Sequence, residues 1–420
     1  MILSGGIFII TYIMIILEKL DRTVIALSGA VLMVVAGIIT QKDAFEYIDY
    51  NTLVLLISMM IIVMLTRRTG VFEYLAIKTV KITRGEPWKL LVILSLITGI
   101  LSALLDNVTT ILLILPITLN IAKDLHTNPV PFIISEVFAS NVGGTATLIG
   151  DPPNIMISSA SGFTFMDFIK NDALIIVPIL FLTTYIFLLV YRKKLKTSQE
   201  AKLKLLSMDE KEALKDIVLL KKCTAVLALT ILGFVFHGLL NFESSTIALA
   251  GAVILLIITG IHPEKILKEV EWKTILFFAG LFVLVGGIKA SGIINLLARG
   301  VIDISGGNTV LMTLAILWVA AIASAFIDNI PFVATMIPLI QDVGVMTGIN
   351  VNPLWWALSL GACLGGNGTT IGASANVIAT GIADEFGHKI TFIRYFKVAF
   401  PLMILTISIC SVYLLVFYLI

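Results

Sequence analysis

The chain has few charged residues for its length. Of its 420 residues, 13% are charged and 58% are hydrophobic, whereas about a quarter of a soluble domain is charged. The mean hydropathy is +1.05. This composition excludes an ordinary soluble domain and predicts a polytopic protein whose main partner is the lipid bilayer; we expect no nucleic-acid partner.

Motifs for metal, redox or nucleotide chemistry are also missing. The three cysteines form no CxxC pair and the four histidines form no HExxH motif, which argues against a disulfide framework and a metal site. The sequence also shows no nucleophile–base pair of the kind that would indicate an enzyme. The absence of a GxxxxGK[ST] loop disfavours an ATP-driven pump formed by this chain alone, although a separate ATPase subunit stays open. We expect no cofactor beyond a coupling ion, H⁺ or Na⁺.

The chain does contain an internal duplication. SALLDN at 102–107 returns as SAFIDN at 324–329, and GGTATLIGDPPN at 143–154 returns as GGNGTTIGASAN at 365–376. Both pairs are separated by the same offset in the numbering, so the register holds without a gap. A duplicated apolar unit with Gly-rich interruptions at matching places indicates a secondary transporter.

The apolar runs predict an all-α polytopic membrane protein. The first repeat (1–191) and the second (223–420) are joined by a charged cytoplasmic linker (192–222). Each repeat is predicted to have one re-entrant hairpin (88–122 and 309–342) and one broken helix (131–159 and 353–381). The other crossings lie near 2–17, 23–41, 52–66, 173–191, 224–239, 246–261, 274–287 and 398–420. Since five crossings per repeat is an odd number, the second copy is inverted, which predicts an inverted-topology repeat.

The basic residues predict the orientation. With both termini outside, the cytoplasmic segments would be 18–22, 67–89, 123–130, 192–222, 261–273 and 381–397. These segments hold 25 of the 29 Lys and Arg residues and leave only Lys42, Lys170, Lys289 and Arg299 outside. The positive-inside rule therefore favours a multi-pass cell-membrane protein in this orientation.

Two hairpin tips carry an acidic residue followed by an amide, Asp106-Asn107 and Asp328-Asn329. A carboxylate deep in a membrane is costly unless a cation, water or a partner compensates it. These four residues are therefore candidate substrate- or ion-binding groups and the place where Na⁺ would bind, or the carboxylates bind protons. The alternative is that each Asp caps the second arm of its hairpin.

The two Gly-rich breaks supply the remaining candidate binding groups. Unwound backbone at membrane depth is tolerated where it lines a cavity or is buried in protein, and half-helix ends attract ions. The alternative for the glycines is close helix packing. The candidate residues are Gly143, Gly144, Thr145, Thr147 and Asn154 in the first break and Gly365, Gly366, Asn367, Thr369 and Asn376 in the second.

Two further acidic residues occur in the first repeat only. Asp151 is replaced by Ala373 in the copy, and Glu136 by Leu358. Either could belong to a proton path; alternatively Asp151 caps the helix that restarts behind it and Glu136 snorkels to the interface. The first half of the site should thus be the more acidic. No Arg or Lys falls inside a predicted span or break, which disfavours a large carboxylate substrate.

The motifs resemble those of a known group. NVGGTATLIGDPPN at 141–154 and GGNGTTIGASANVIATGIADEFGH at 365–388 are similar to the signatures of the arsenical pump membrane protein and P protein (pink-eyed dilution) family. This family belongs to the ion transporter superfamily with citrate-transporter-like domains. The resemblance implies a scaffold and a transport domain, a homodimer, and transport of arsenite, of sodium against protons, or of carboxylates.

These observations predict a secondary active transporter. The leading substrate is a small inorganic species such as arsenite or antimonite, exported in exchange for protons. A Na⁺/H⁺ antiporter is the first alternative and a sodium-coupled di- or tricarboxylate transporter the second. A channel is the alternative from another class, since paired breaks can also line a pore.

Overall fold

The structure is a computed structural model and describes residues 1–17, 19–207, 209–240 and 242–419. Glu18 of the predicted segment 18–22, Met208 of the linker, Asn241 of the second repeat and Ile420 at the end of the last predicted span lie outside the described residues. Within the described ranges every regular element is a helix. The all-α prediction is therefore confirmed.

The first half of the chain and the linker contain eleven α-helices in the described residues. They are α1 (Ile2–Leu17), α2 (Arg22–Val35), α3 (Gln41–Glu46), α4 (Tyr50–Arg67), α5 (Val71–Thr83), α6 (Pro87–Leu104), α7 (Asn107–Asp124), α8 (Val130–Thr145), α9 (Pro152–Ser161), α10 (Phe165–Tyr191) and α11 (Gln199–Leu206). Helices α6 and α7 form the first hairpin, and α8 and α9 flank the first break.

The second half repeats this order. Its helices are α12 (Ile217–Leu240), α13 (Ser244–Thr259), α14 (Pro263–Leu267), α15 (Trp272–Ala290), α16 (Ile293–Ser305), α17 (Thr309–Phe326), α18 (Asn329–Thr347), α19 (Asn352–Gly365), α20 (Ser374–Glu385) and α21 (Phe392–Leu414). Helix α16 begins and ends at the counterparts of the first and last residues of α5. The duplication read from the sequence is thus also a duplication of helices.

Local sequence signals set several of these helix boundaries. Gly70 and Gly292 have φ of 79° and 80° directly before α5 and α16, a conformation that glycine adopts without the penalty of a Cβ. Thr164 and Asp167 form a reciprocal capping box at the start of α10. The left-handed glycine before the helix therefore recurs at matching places in both halves.

The two halves pack by exchanging helices. Helix α2 packs against α15 and its counterpart α13 against α4, while α7 packs against α20 and α18 against α9. The Thr23 hydroxyl donates to the Lys273 carbonyl at 3.0 Å, and at the counterpart positions the Ser245 hydroxyl donates to the Asn51 side chain at 3.0 Å. Such reciprocal contacts are those of an approximate two-fold relation.

The broken helices lie at the centre of the molecule. Every residue of α8 is buried, and α19, which packs directly against α8, is buried over nearly its whole length. In the described residues eight helices are long and apolar enough to cross a membrane, and α1, α2 and α13 are shorter apolar helices. This arrangement puts the two breaks where both repeats meet.

Candidate functional site

The acidic residue at each hairpin tip caps the helix that follows. The Asp106 carboxylate accepts a hydrogen bond from the Thr109 N–H at 2.8 Å, and Asp328 accepts from the Ile330 N–H at 3.1 Å. Asp106 has φ of 144°, which non-glycine residues rarely adopt, whereas Asp328 has φ of −47°. The first tip therefore stores backbone strain that the second lacks.

The second tip is also held by an arginine. The Arg22 guanidinium lies 2.9 Å from the Asp328 carboxylate and donates to the Ser374 hydroxyl at 2.7 Å, and Ser374 donates to Asp328 at 2.6 Å. The sequence placed Arg22 in a connecting segment and predicted no fixed cation at the site. That expectation is wrong, because α2 begins at Arg22 and carries the guanidinium to the second tip.

Two asparagines satisfy the carbonyl groups that the breaks set free. The Asn154 amide donates to the carbonyls of Thr145 and Thr147 at 3.1 and 3.0 Å. Its counterpart Asn376 donates to the carbonyls of Gly366 and Thr369, both at 2.7 Å. Each break is therefore held in its conformation by hydrogen bonds from its own asparagine side chain.

The threonines and glycines attach each break to its hairpin. The Thr147 hydroxyl donates to the Ala103 carbonyl at 2.5 Å, and Thr369 donates to that of Ala325, while Thr145 bonds within its own helix. A Cβ at Gly143 would lie 2.0 Å from the carbonyl oxygen of Gly99. At Gly365 the nearest backbone atom, in Ala321 of α17, would lie at 2.5 Å, so Gly143 and Gly365 allow backbone contact with the hairpins. At Gly144 and Gly366 the nearest are the carbonyl oxygens of Gly150 and Gly372 in the same breaks, at 2.4 and 3.0 Å.

A buried asparagine cluster joins the two repeats. Asn107 donates to the Asn141 side chain at 3.2 Å, and the Asn141 amide donates to the side-chain oxygens of Asn367 at 3.1 Å and Asn376 at 2.8 Å. Asn141 is not among the binding residues predicted from the sequence. The signal was its position two residues before the Gly-Gly pair, at the site that Cys363 occupies in the second repeat.

The first break carries a buried carboxylate that faces the second hairpin. The Asn329 amide lies 3.4 Å from one oxygen of Asp151, and the other oxygen has no partner among the described residues. Asp151 is 1% exposed. Since Ala373 occupies the equivalent position, the site is more acidic on the side of the first break.

Glu136 is a second carboxylate in the core. The Thr118 hydroxyl donates to one of its oxygens at 2.9 Å, and its other oxygen has no partner among the described residues. The side chain is fully buried, so the alternative that it snorkels to the interface is wrong. Glu136 contacts α7 rather than the break residues.

One buried carboxylate was missed altogether. Asp172 of α10 is fully buried and contacts Ser359 of α19. The predicted span begins at Ala173, so Asp172 lies just outside that span, whereas α10 begins at Phe165. The available signal was an acidic residue at the edge of an otherwise apolar run.

Two clefts lie at counterpart positions of the repeats. One has a volume of about 360 Å³ and is lined by Asn51, Thr52, Glu243, Ser244 and Ser245. The other has about 410 Å³, and its lining includes the counterparts of these residues in the other repeat, namely Asp21, Arg22, Thr23, Lys273 and Thr274. Leu148 of the first break also lines the first cleft, which therefore reaches the centre of the molecule.

The helices form a known membrane-protein fold. The structure is similar to the crystal structure of the YdaH transporter of Alcanivorax borkumensis, with a TM-score of 0.58 at 15% identity over 89% of this chain and 86% of that one. This likeness concerns the fold alone. The family model described as a citrate transporter (CitMHS) matches residues 12–361, and the chain belongs to that family.

Several relatives are similar in sequence to nearly the whole of this chain. An uncharacterized transporter of Mycobacterium bovis is 42% identical over 98% of this chain and 97% of its own length. A 46 kDa membrane protein of Mycobacterium leprae is 40% identical over 100% and 99%. The P protein of Homo sapiens is 34% identical over 96% of this chain but 58% of its own length. The resemblance to the P protein group is thus confirmed.

Proposed function

We propose that this transporter exports a small inorganic species of the arsenite or antimonite type in exchange for protons. The observations that carry the proposal are the central cluster of Asn107, Asn141, Asn367 and Asn376 and the contact between Asn329 and Asp151. Arsenite is largely an uncharged trihydroxide at neutral pH, and amide and carboxylate groups can hydrogen-bond to its hydroxyls. Arg22 is paired with Asp328, so it is not free to attract an anion in this conformation.

A Na⁺/H⁺ antiporter is the second candidate. It is favoured by the Asp151 oxygen that has no hydrogen-bond partner among the residues the structure describes, since hard cations bind carboxylate and amide oxygens. The Na⁺ ligands would come from Asp106, Asn107, Asp328 and Asn329, and Asp328 would have to leave Arg22. The family description names citrate, and citrate binding would likewise require Arg22 or the helix N-termini to face the substrate.

We further propose that the two clefts are the access routes from the two sides of the membrane. In the inverted orientation, with both termini outside and 192–222 in the cytoplasm, the cleft at Ser245 opens outward and the cleft at Arg22 opens inward. Ser244 stands in the position of Arg22, and Pro152 in that of Ser374. Only the inner side then has this ion pair to close it. A homodimer belongs to the same proposal, and a separate ATPase subunit stays an alternative to it.

The test is transport by the purified protein in sealed vesicles with an imposed pH gradient. Sodium, lithium, arsenite, antimonite and citrate are added in turn while a dye reports the internal pH. We expect arsenite or antimonite to dissipate the gradient and citrate to have no effect. A response to sodium alone would establish the antiporter, and a response to citrate that requires sodium would overturn the substrate proposal.

A further inference from the structure

Asp172 is isolated from positive charge. It is fully buried, and it takes part in none of the seven ion pairs of the described residues. One of its oxygens has no hydrogen-bond partner there. The titratable groups that face it are the thiols of Cys363 and Cys410 and the phenols of Tyr413 and Tyr418. An ionised carboxylate in such surroundings would be uncompensated.

The hydrogen bonds around Ser359 require one more hydrogen than the hydroxyl can give. The Ser359 oxygen lies 2.5 Å from a carboxylate oxygen of Asp172 and 2.7 Å from the side-chain oxygen of Asn154. The Asn154 amide nitrogen is committed to two backbone carbonyls, so its oxygen can only accept. Because a hydroxyl has a single hydrogen, the contact with Asn154 uses it, and the hydrogen between Ser359 and Asp172 has to come from Asp172.

The Cys363 thiol does not change this result. It lies 3.5 Å from the Asn154 oxygen and can donate a weak second hydrogen bond there. It places no hydrogen between Ser359 and Asn154, where the two oxygens in contact would otherwise repel each other. A protonated Asp172 satisfies all three contacts together.

We propose that Asp172 holds the coupling proton in this conformation and transmits its presence to the first break through Ser359 and Asn154. When Asp172 releases the proton, its carboxylate becomes the acceptor for the Ser359 hydroxyl. The hydrogen bond from Ser359 to Asn154 is then lost. Asn154 closes the first break through Thr145 and Thr147, so the break is then free to rearrange. This inference rests on the proposed proton coupling and assigns it a site away from the hairpin tips.

Infrared spectroscopy of the purified full chain tests the proton directly. A protonated carboxylic acid has a C=O stretching band that a carboxylate lacks. We expect Asp172→Asn to remove such a band at neutral pH, while Asp167→Asn, on the same helix at its capping box, leaves it. We expect Ser359→Ala to move the band, because the acid loses its partner. An identical spectrum for the parent and Asp172→Asn would overturn the proposal, and so would an unmoved band in Ser359→Ala if Asp172→Asn fails to fold.

Transport measurements separate this inference from the proposed substrate. In vesicles, Asp172→Asn should reduce proton movement coupled to substrate at least tenfold, and Asp167→Asn should not. A band from Asp172 in a protein that ignores arsenite and antimonite would overturn the substrate and leave the proton site. Arsenite–proton exchange that persists at the parent rate in Asp172→Asn would overturn the proton site and leave the substrate.

Discussion

Gly143 has no room for a side chain, since an added Cβ would lie 2.0 Å from the Gly99 carbonyl oxygen and 2.6 Å from its Cα. Both neighbours are backbone atoms, so relief requires helices α6 and α8 to separate. Closely packed interiors resist such shifts at a cost of about 1–3 kcal/mol or more. The glycine is therefore a condition for the contact between the first hairpin and the first broken helix.

We predict that Gly143→Ala lowers the thermal stability of the detergent-solubilised protein and abolishes transport. Gly300→Ala is the matched control, because Gly300 lies inside α16 with open space around it. There alanine should be neutral or stabilise by up to about 1 kcal/mol, since it favours helix more than glycine does. Melting temperatures of the two variants check this, and equal melting temperatures would contradict it.

A second prediction concerns the acidic tips. Asp106→Asn and Asp328→Asn should each give a folded protein, because Asn caps helices about as well as Asp. Each should lose coupled transport, since the amide cannot ionise, and Asp328→Asn also leaves Arg22 without its ion pair.

The control for the acidic tips is Asp303→Asn, at an exposed position of α16. Transport rates as a function of pH are the measurement. Parent rates with the parent pH dependence in both tip variants would mean that the carboxylates act only as caps.

The residues that the sequence revealed are those that break a pattern. Asp106 and Asp328 stood out because each interrupts an apolar run in both copies. The sequence did not predict the roles of three residues, because each role depends on a partner far away in the chain. The partner is 352 positions away for Arg22, 226 for Asn141 and 187 for Asp172. Such partnerships are set by packing, which no local spacing records.

At the scale of elements, the length of the hairpin helices does not distinguish a re-entrant hairpin from one that crosses the membrane fully. Each arm of the first hairpin has 18 residues, or about 27 Å at 1.5 Å per residue, close to the thickness of the hydrocarbon core. Helices α6, α17 and α18 are each long and apolar enough to cross. A re-entrant and a fully crossing hairpin both return to the side they left, so the prediction of an inverted topology is the same for both.

The linker is an element with its own electrostatic attachment. Lys81 of α5 pairs with Glu210, and this hydrogen bond lowers the pKa of the Glu210 carboxyl below its usual value. The Lys215 N–H also donates to the Thr69 carbonyl at 2.9 Å. For a lowered carboxyl pKa the attachment is complete above about pH 4.3, the value of a free Glu, and is lost as the pH falls through the lower, folded-state pKa.

We therefore predict that Glu210→Gln loosens the linker at neutral pH, where Glu212→Gln does not. Glu212 is exposed and forms none of the ion pairs found in the described part of the chain. Hydrogen exchange of the peptide that contains Lys215 should be faster in Glu210→Gln alone. Equal exchange in the two variants would show that the ion pair between Lys81 and Glu210 does not hold the segment around Lys215.

For the whole molecule, the orientation can be tested with single added cysteines. Cys223, Cys363 and Cys410 are buried, so the parent protein should label weakly with an impermeant thiol reagent. A cysteine at the exposed position Gln199 should react only from the cytoplasmic side, and one at the exposed position Glu243 only from outside. Labelling of both from the same side would exclude a crossing by α12, the first predicted span of the second repeat.

The whole fold was more predictable than the site within it. The fixed offset between the repeats predicted two matching sets of helices, and the structure has them with boundaries that agree within a few residues at most positions. The exchange of α2 and α13 between repeats could not be read in the same way. Both halves are apolar along their lengths, so hydrophobicity gives no sign of which helix packs on which.

That exchange has a consequence for the synthesis of the protein. The residue that Thr23 bonds to, Lys273, comes 250 positions later in the chain. At about 5–20 residues per second, a ribosome needs about 12–50 seconds to cover that distance. We therefore expect the surface of α2 that later packs on α15 to stay uncovered in the lipid while the second half is synthesised. During this interval a membrane chaperone or a protease would have access to that surface.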